Sequence, residues 1–328
     1  MITHRRWHWG AFAIVLALIM ASGIALGPVR ISISDLLAVL SGHGTPEATA
    51  IVMTLRAPRV CLAVLVGAGL AMSGVVLQGT LRNSLAEPYL LGVSGGAAVG
   101  AVGATVAGVS ALLTPLASFA GAAAAVGLAV TVARGTSSSA RSDARTLLMA
   151  GVVVGAFATA VIMIMLANAP PNVVRGAMWW MMGSVGDATW SSVAWLAVYL
   201  TVGTTVLLVN ARAIDVLTLG DDAAAALGVD VERRSRLLFL ASALVAAATV
   251  AAAGLVGFVG LIVPHIARAA GLWRHRSLIV ASALMGGTLV VTADLLARIV
   301  LPPAELPLGA VTAVLGVPFF LLQLRKAA

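Results

Sequence analysis

The chain has 328 residues, of which 61% are hydrophobic and only 10% charged, with a formal net charge of +8 and a mean hydropathy of +1.07. A soluble domain carries roughly 25% charged residues, so this composition excludes an ordinary soluble fold and predicts an all-α polytopic membrane protein. The positive charge is read as topology and not as a nucleic-acid surface, because Arg and Lys gather in the cytoplasmic loops of membrane proteins.

A helix needs about 20 mostly apolar residues to cross the hydrocarbon core. Such runs predict ten spans, near residues 10–27, 57–78, 91–109, 113–133, 146–167, 188–209, 236–253, 258–270, 278–299 and 308–324. The first follows Arg5 and Arg6 and ends with the small residues Gly23 and Ala25, a pattern shared with signal peptides; the many later spans favour an uncleaved helix. The stretch "ISISDLLAVLSG" (Ile31–Gly42) then predicts a short outer helix, capped by Ser34 and stopped by Gly42. The second span contains "GAGLAMSG" (Gly67–Gly74), whose small-xxx-small spacing lets helix backbones approach closely in lipid. It also holds the lone cysteine, Cys61, which has no intrachain partner.

After the fifth span, "NAPPNVVRGAMWWMMGSVGD" (Asn168–Asp187) opens on a Pro pair and sets Trp179, Trp180, Met181 and Met182 at the interface, where Trp serves as an anchor. Met163, Met165, Met178, Met181 and Met182 suit either an adaptable apolar lining or plain core packing. The eighth span is short and is not predicted to cross fully. "LPPAELPLG" (Leu301–Gly309) is a Pro-rich outer turn. With the N-terminus inside, 15 of the 20 Arg and Lys residues fall on the cytoplasmic side, leaving Arg30, Arg56, Arg59, Arg175 and Arg298 outside or at outer helix ends. That bias places both termini in the cytoplasm.

Little in the chain looks catalytic. "GVSG" (Gly92–Gly95) has the form used by intramembrane serine proteases, with Ser94 as nucleophile and His265 as a distant candidate base, but a base must lie within hydrogen-bond reach. The sole lysine, Lys326, is not preceded by a phosphate-binding loop. Within the spans, Asp294 is the main ionisable candidate for an ion path, yet Arg298 four residues on would pair with it along one helix face. This scarcity of buried charge suits a transporter whose energy comes from elsewhere. The polar stretch "LTLGDDAAAALGVDVERRSR" (Leu217–Arg236) supplies a candidate entry point. Asp221 and Asp222 suit the first turn of a short helix, Gly228 can end it in the left-handed conformation, and Arg233, Arg234 and Arg236 hold it on the cytoplasmic face. Composition alone fits a docking helix for a soluble partner or a solvated connector.

Four motifs then resemble a known family. "LRAPRVCLAVLVGAGLAMSGVVLQGTLRNSLAEPYLLGVSGGAAVGA" (Leu55–Ala101), "LTLGDDAAAALGV" (Leu217–Val229), "GLVGFVGLIVPHIARAAG" (Gly254–Gly271) and "ADLLARIVLPPAELPLGAVTAVLGVPFFLLQLRK" (Ala293–Lys326) are similar to signatures of FecCD-like permeases. These are the membrane subunits of type II ABC importers for iron–siderophores, haem or vitamin B12. The resemblance implies a single permease domain over residues 1–328, with ten membrane helices and a cytoplasmic coupling segment at 211–235. Leu217, Leu219, Gly220, Ala224, Leu227 and Gly228 match its ATPase-coupling positions, and Asn83 and Leu85 match positions at its cytoplasmic gate. Ser84 stands where the family has proline, which is expected to loosen the gate turn by freeing φ. His265 matches a family-typical position read as structural.

The resemblance further implies a second permease subunit (a homodimer being favoured), two cytoplasmic ATPase subunits that use the ATP, and a periplasmic binding protein. It implies no covalently bound cofactor, no resident metal and no enzymatic activity on this chain, which would sit in a bacterial inner membrane. The cargo expected first is haem or an iron–siderophore, with vitamin B12 as the alternative. Arg30 and Arg175 are the outer arginines free of helix-end roles. They could bond carboxylates of an anionic ligand, meet acidic residues of the binding protein, or anchor the interface.

Overall fold

A computed structural model describes residues 3–29, 31–110, 112–136 and 144–327. Every regular element among them is helical. In chain order these are α1 (Thr3–Ala25), α2 (Ile33–Leu40), α3 (Pro46–Thr49), a π-helical stretch (Ala50–Arg56) running into α4 (Ala57–Thr80), a 3-10 turn (Pro88–Leu91), α5 (Val93–Val106), α6 (Thr114–Thr136), α7 (Ala144–Ala167), α8 (Pro171–Met182), α9 (Trp190–Val209), α10 (Ala211–Leu217), α11 (Asp221–Ala226), α12 (Val231–Ala253), α13 (Val259–Ala269), α14 (His275–Ile299) and α15 (Leu308–Ala327).

A helix answers each of the ten expected spans. Six among the described residues are long and apolar enough to cross a membrane, and four apolar ones are shorter: Trp9–Ala25, Val93–Val106, Val259–Ala269 and Leu308–Phe319. The eighth span is short, as expected: the 11 residues of α13 rise only about 16 Å. The outer helix α2 forms, but its cap differs from the sequence reading. Ser32, not Ser34, takes the extended N-cap conformation, and its Oγ accepts the Asp35 N–H at 3.1 Å. The Asp35 carboxylate in turn accepts from the Ser32 hydroxyl at 2.6 Å, a reciprocal bond that Ser34 is too far along the helix to make. The Pro-led stretch after the fifth span is itself a helix, α8, with Pro171 at its first position, where a missing N–H costs nothing.

The bundle is organised around α4. Within the stretch Pro46–Thr80, 78% of the most apolar window is buried, against 17% for the outermost long helix, α9. In lipid there is no hydrophobic gain in moving Leu from lipid to a neighbouring helix, so close backbone contact has to hold helices together. α4 supplies it at two levels. A Cβ on Gly67 would sit 2.0 Å from the Gly286 carbonyl oxygen of α14, and one on Gly74 would sit 2.0 Å from the Gly260 carbonyl oxygen of α13. Gly67 and Gly74 are nearly two turns apart, so they share one stripe of the helix. The small-xxx-small spacing is therefore the seam on which α13 and α14 pack. α5, α6 and α7 form a second packed group, joined to the first through α12.

The start of α4 and the end of α14 are tied by charge. Asp294 is 1% exposed and its carboxylate meets Arg298 Nε at 3.2 Å and Arg59 at 2.9 Å. Arg59 also forms a forked pair with Glu305, at 3.0 and 2.9 Å. The helical i, i+4 pair expected from sequence is thus half of a network that joins α4, α14 and the turn before α15. Arg298 and Arg56 turn their remaining donors to the end of α1. Arg298 donates to Gly23 O at 3.1 Å, and Arg56 donates to Ile24 O at 2.9 Å, Ala25 O at 2.8 Å and Val29 O. The last carbonyls of α1 have no helical partners, and two arginines from other helices supply them.

Two outcomes follow from this packing. Gly67→Ala forces its Cβ into backbone that no rotamer change can move, and should cost about 1–3 kcal/mol in denaturant unfolding of the detergent-solubilised protein. Gly10→Ala and Gly127→Ala, with nothing within 4 Å of the new atom, should leave the unfolding midpoint unchanged. Asp294→Ala leaves Arg59 and Arg298 without their shared carboxylate and should cost about 3–5 kcal/mol in the same assay.

Candidate functional site

α4 ends in a tight wrap at Leu81–Asn83. The Arg82 N–H donates to Gly79 O at 3.3 Å and the Asn83 N–H to Gln78 O at 3.1 Å, the double bond of a Schellman cap. Arg82 occupies the left-handed position, φ 50, where glycine is usual. A non-glycine residue there costs of order 1–3 kcal/mol. Its side chain is thereby aimed away from α4, and the guanidinium reaches Asp221 of α11 at 3.0 Å.

The next residues close the turn. Asn83 Oδ1 accepts the Leu85 N–H at 2.9 Å, and Asn83 O accepts the Ala86 N–H at 3.0 Å. This side-chain turn bridges Ser84, the residue that stands in place of the family's proline. Leu85 is exposed beside it.

Beyond the turn, Glu87 and Tyr89 pin the break between α12 and α13. The Glu87 carboxylate accepts the Phe258 N–H at 2.7 Å, at a residue held in left-handed backbone, φ 68. The Tyr89 hydroxyl donates to Val256 O at 2.9 Å and accepts the Val256 N–H at 2.7 Å. Residues 254–258 carry backbone groups outside any helix, which at membrane depth must be met by protein.

The polar stretch after α9 folds into α10 and α11. Gly220 turns the chain with φ +107, Asp221 and Asp222 occupy the first turn of α11, and Gly228 ends it at φ +79, as its sequence predicts. The six expected coupling positions divide by burial. Leu217 is 2% exposed and Ala224 0%, whereas Leu219 is 64% and Leu227 63% exposed. Leu217 and Ala224 belong to the main core with Ile214, Leu238 and Leu278; they fix the segment, and Leu219 and Leu227 face outward.

Polar contacts grip the segment from three further elements. Besides Arg82–Asp221, Arg234 of α12 donates to Asn210 Oδ1 at 2.6 Å. Asp215 Oδ1 accepts from the His275 N–H at 2.9 Å and lies 2.6 Å from its Nδ1. Sequence reasoning did not single out Arg82, Asn210 or Asp215. The one available signal was sign, since Asp215 and Asp221 are acids set among the basic residues Arg212, Arg233, Arg234 and Arg236.

The remaining candidates are dispersed. Ser94 Oγ donates to Tyr89 O at 3.4 Å and His265 Nδ1 faces Leu261 O at 2.7 Å, so each is engaged with a carbonyl near it in sequence and not with the other. Arg175 is exposed on α8 and makes no ion pair among the described residues, next to the exposed Met178, Trp179 and Met182. Arg30 lies outside the described residues.

The profile of the FecCD transport family matches residues 14–326. The cobalamin import system permease protein BtuC of Halobacterium salinarum is 44% identical over 86% of this chain and 75% of its own. The hemin transport system permease protein HmuU of Yersinia pestis is 38% identical over 96% of this chain and 95% of its own. A solved structure described as an inward-facing conformation of a metal-chelate type ABC transporter superposes with a TM-score of 0.87 at 27% identity, covering 98% of this chain and 99% of that one.

Glu87→Gln keeps an acceptor for the Phe258 N–H and should fold as the wild type does, whereas Glu87→Ala should lose about 1–3 kcal/mol in denaturant unfolding.

Proposed function

The chain belongs to the FecCD transport family, and on that footing we propose that it is the transmembrane permease subunit of an ATP-driven importer carrying a bulky iron chelate, haem or an iron–siderophore, from periplasm to cytoplasm. The whole of residues 1–328 acts as one permease domain, in a bacterial inner membrane with both termini cytoplasmic. A second copy completes the path, two separate ATPase subunits supply the energy, and a periplasmic binding protein delivers the cargo.

The observation that carries this reading is the α10–α11 segment. It offers two exposed leucines, Leu219 in the link between α10 and α11 and Leu227 at the C-terminal end of α11, on a segment anchored by the buried Leu217 and Ala224. Free apolar anchors on a rigid support are what a cytoplasmic partner can grip. Leu217, Gly220, Ala224 and Gly228 shape and seat that surface. Asn83 and Leu85 stand at the inner mouth as the gate, where the closed side-chain turn holds Leu85 in position.

The cargo reading rests on the outer face. Arg175 offers a guanidinium without an ion pair among the described residues, beside Met178, Trp179 and Met182, a combination suited to a flat apolar chelate bearing carboxylates. Arg30 joins it as the other outer arginine expected to meet the ligand or the binding protein. A cobalamin importer is the second reading, favoured by the 44% identity to the archaeal cobalamin permease.

Uptake into proteoliposomes holding the chain with its ATPase and binding protein separates these readings. Haem or a ferric siderophore should accumulate only with ATP. Accumulation of cobalamin alone would select the second reading, and uptake without the ATPase would overturn both. Leu219→Asp and Leu227→Asp should each weaken co-purification with the ATPase by roughly 2 kcal/mol or more. Arg175→Ala should lower uptake of a carboxylate-bearing chelate by about tenfold at low substrate, the loss of one charged hydrogen bond.

A further inference from the structure

α14 does not cap its own N-terminus. Arg274 holds the N-cap position and makes no side-chain bond to the first turn. The acceptor comes from another element: Asp215 of α10 takes the His275 N–H at 2.9 Å and faces the His275 imidazole Nδ1 at 2.6 Å, both through one oxygen. An ionised carboxylate only accepts, so Nδ1 carries the hydrogen, and the negative group lies at the positive end of the α14 dipole.

The contact is set in a tight seat. The His275 side chain is 8% exposed. A Cβ on Gly79 of α4 would lie 2.6 Å from His275 Nε2 and 2.5 Å from the Ile214 side chain. The foot of α4, α10 and the start of α14 therefore converge where glycine leaves room for both neighbours. From that point α14 runs 25 residues without a proline, about 37 Å at helical rise. Its far end carries Asp294 and Arg298, bonded to Arg59 and to the end of α1.

We propose that Asp215 is a positioning residue of the transport cycle, the joint through which displacement of the cytoplasmic α10–α11 segment is passed to α14 and along it to the outer ion-pair network. This rests on the reading of α10–α11 as the ATPase-facing segment. Leu219 and Leu227 receive the push, the buried Ile214 and Leu217 make α10 move with them, and the carboxylate bound to His275 moves the end of a stiff rod. A cap supplied by the helix itself would hold its first turn equally well but would not tie it to α10.

The test measures ATP hydrolysis and uptake in the same vesicles, each holding the permease with its ATPase and binding protein. Asp215→Asn keeps the shape and removes the charge, and His275→Gln removes the imidazole from the other side. Each should assemble with the ATPase and hydrolyse ATP as the wild type does while uptake per ATP falls by roughly tenfold. The double variant should be no worse than the worse single, because both break one link. Unchanged uptake per ATP in both singles overturns the proposal. So does a parallel fall of assembly, hydrolysis and uptake in both, which would mark the contact as a fold element only. If the wild-type complex itself shows no ATP-dependent uptake, the importer reading falls and takes this joint with it.

Discussion

Helices in a hydrocarbon slab gain nothing by exchanging lipid for leucine, so this bundle depends on how closely backbones can approach α4. The Gly67–Gly286 and Gly74–Gly260 contacts set that distance on two levels of a single stripe. The individual carbon–carbon attractions brought into range are each about 0.1–0.2 kcal/mol, and they accumulate only because no side chain stands between the helices. α13 is too short to cross and would not be placed by its own length. Its seat on Gly74 positions it, and with it the non-helical residues 254–258.

On this frame the polar residues act mainly as substitutes for missing helical partners. Arg56 and Arg298 meet the last carbonyls of α1, Glu87 and Tyr89 meet the N–H groups of the α12–α13 break, and Asp215 meets the first N–H of α14. Each substitute comes from a different helix than the one it completes. The ends of the helices are consequently linked to one another, while their middles meet backbone to backbone at small residues. Helices joined in this way can move as units in rigid-body changes.

The ten spans were legible because each needs only a long apolar run, and the left-handed Gly228 and the acidic first turn of α11 were legible because both signals are local. Ser34 was mistaken for the cap of α2 because "SIS" offers two serines, and only the backbone at Ser32, extended at ψ 156, decides between them. The links that matter most for the site were not legible. Arg82–Asp221, Asp215–His275 and Arg59–Asp294 join residues 139, 60 and 235 positions apart, and no periodicity records such pairs. The division of the coupling positions into buried Leu217 and Ala224 and exposed Leu219 and Leu227 was hidden for a related reason. α10 and α11 have seven and six residues, too few turns for an apolar face to declare itself.

The uneven lengths of the helices have a consequence for the surrounding membrane. Those most open to the outside, α7 and α9, have 24 and 20 residues, while the short α5 and α13 lie against the buried α4 and α12. Where a helix faces lipid, a mismatch between its length and the bilayer costs a fraction of a kcal/mol per Å. α13 takes its height from its seat on Gly74, and α5 from α6, whose backbone a Cβ on Gly96 or Gly100 would meet. A change in lipid chain length would therefore act first on the long exposed helices and reach the short ones through these backbone contacts.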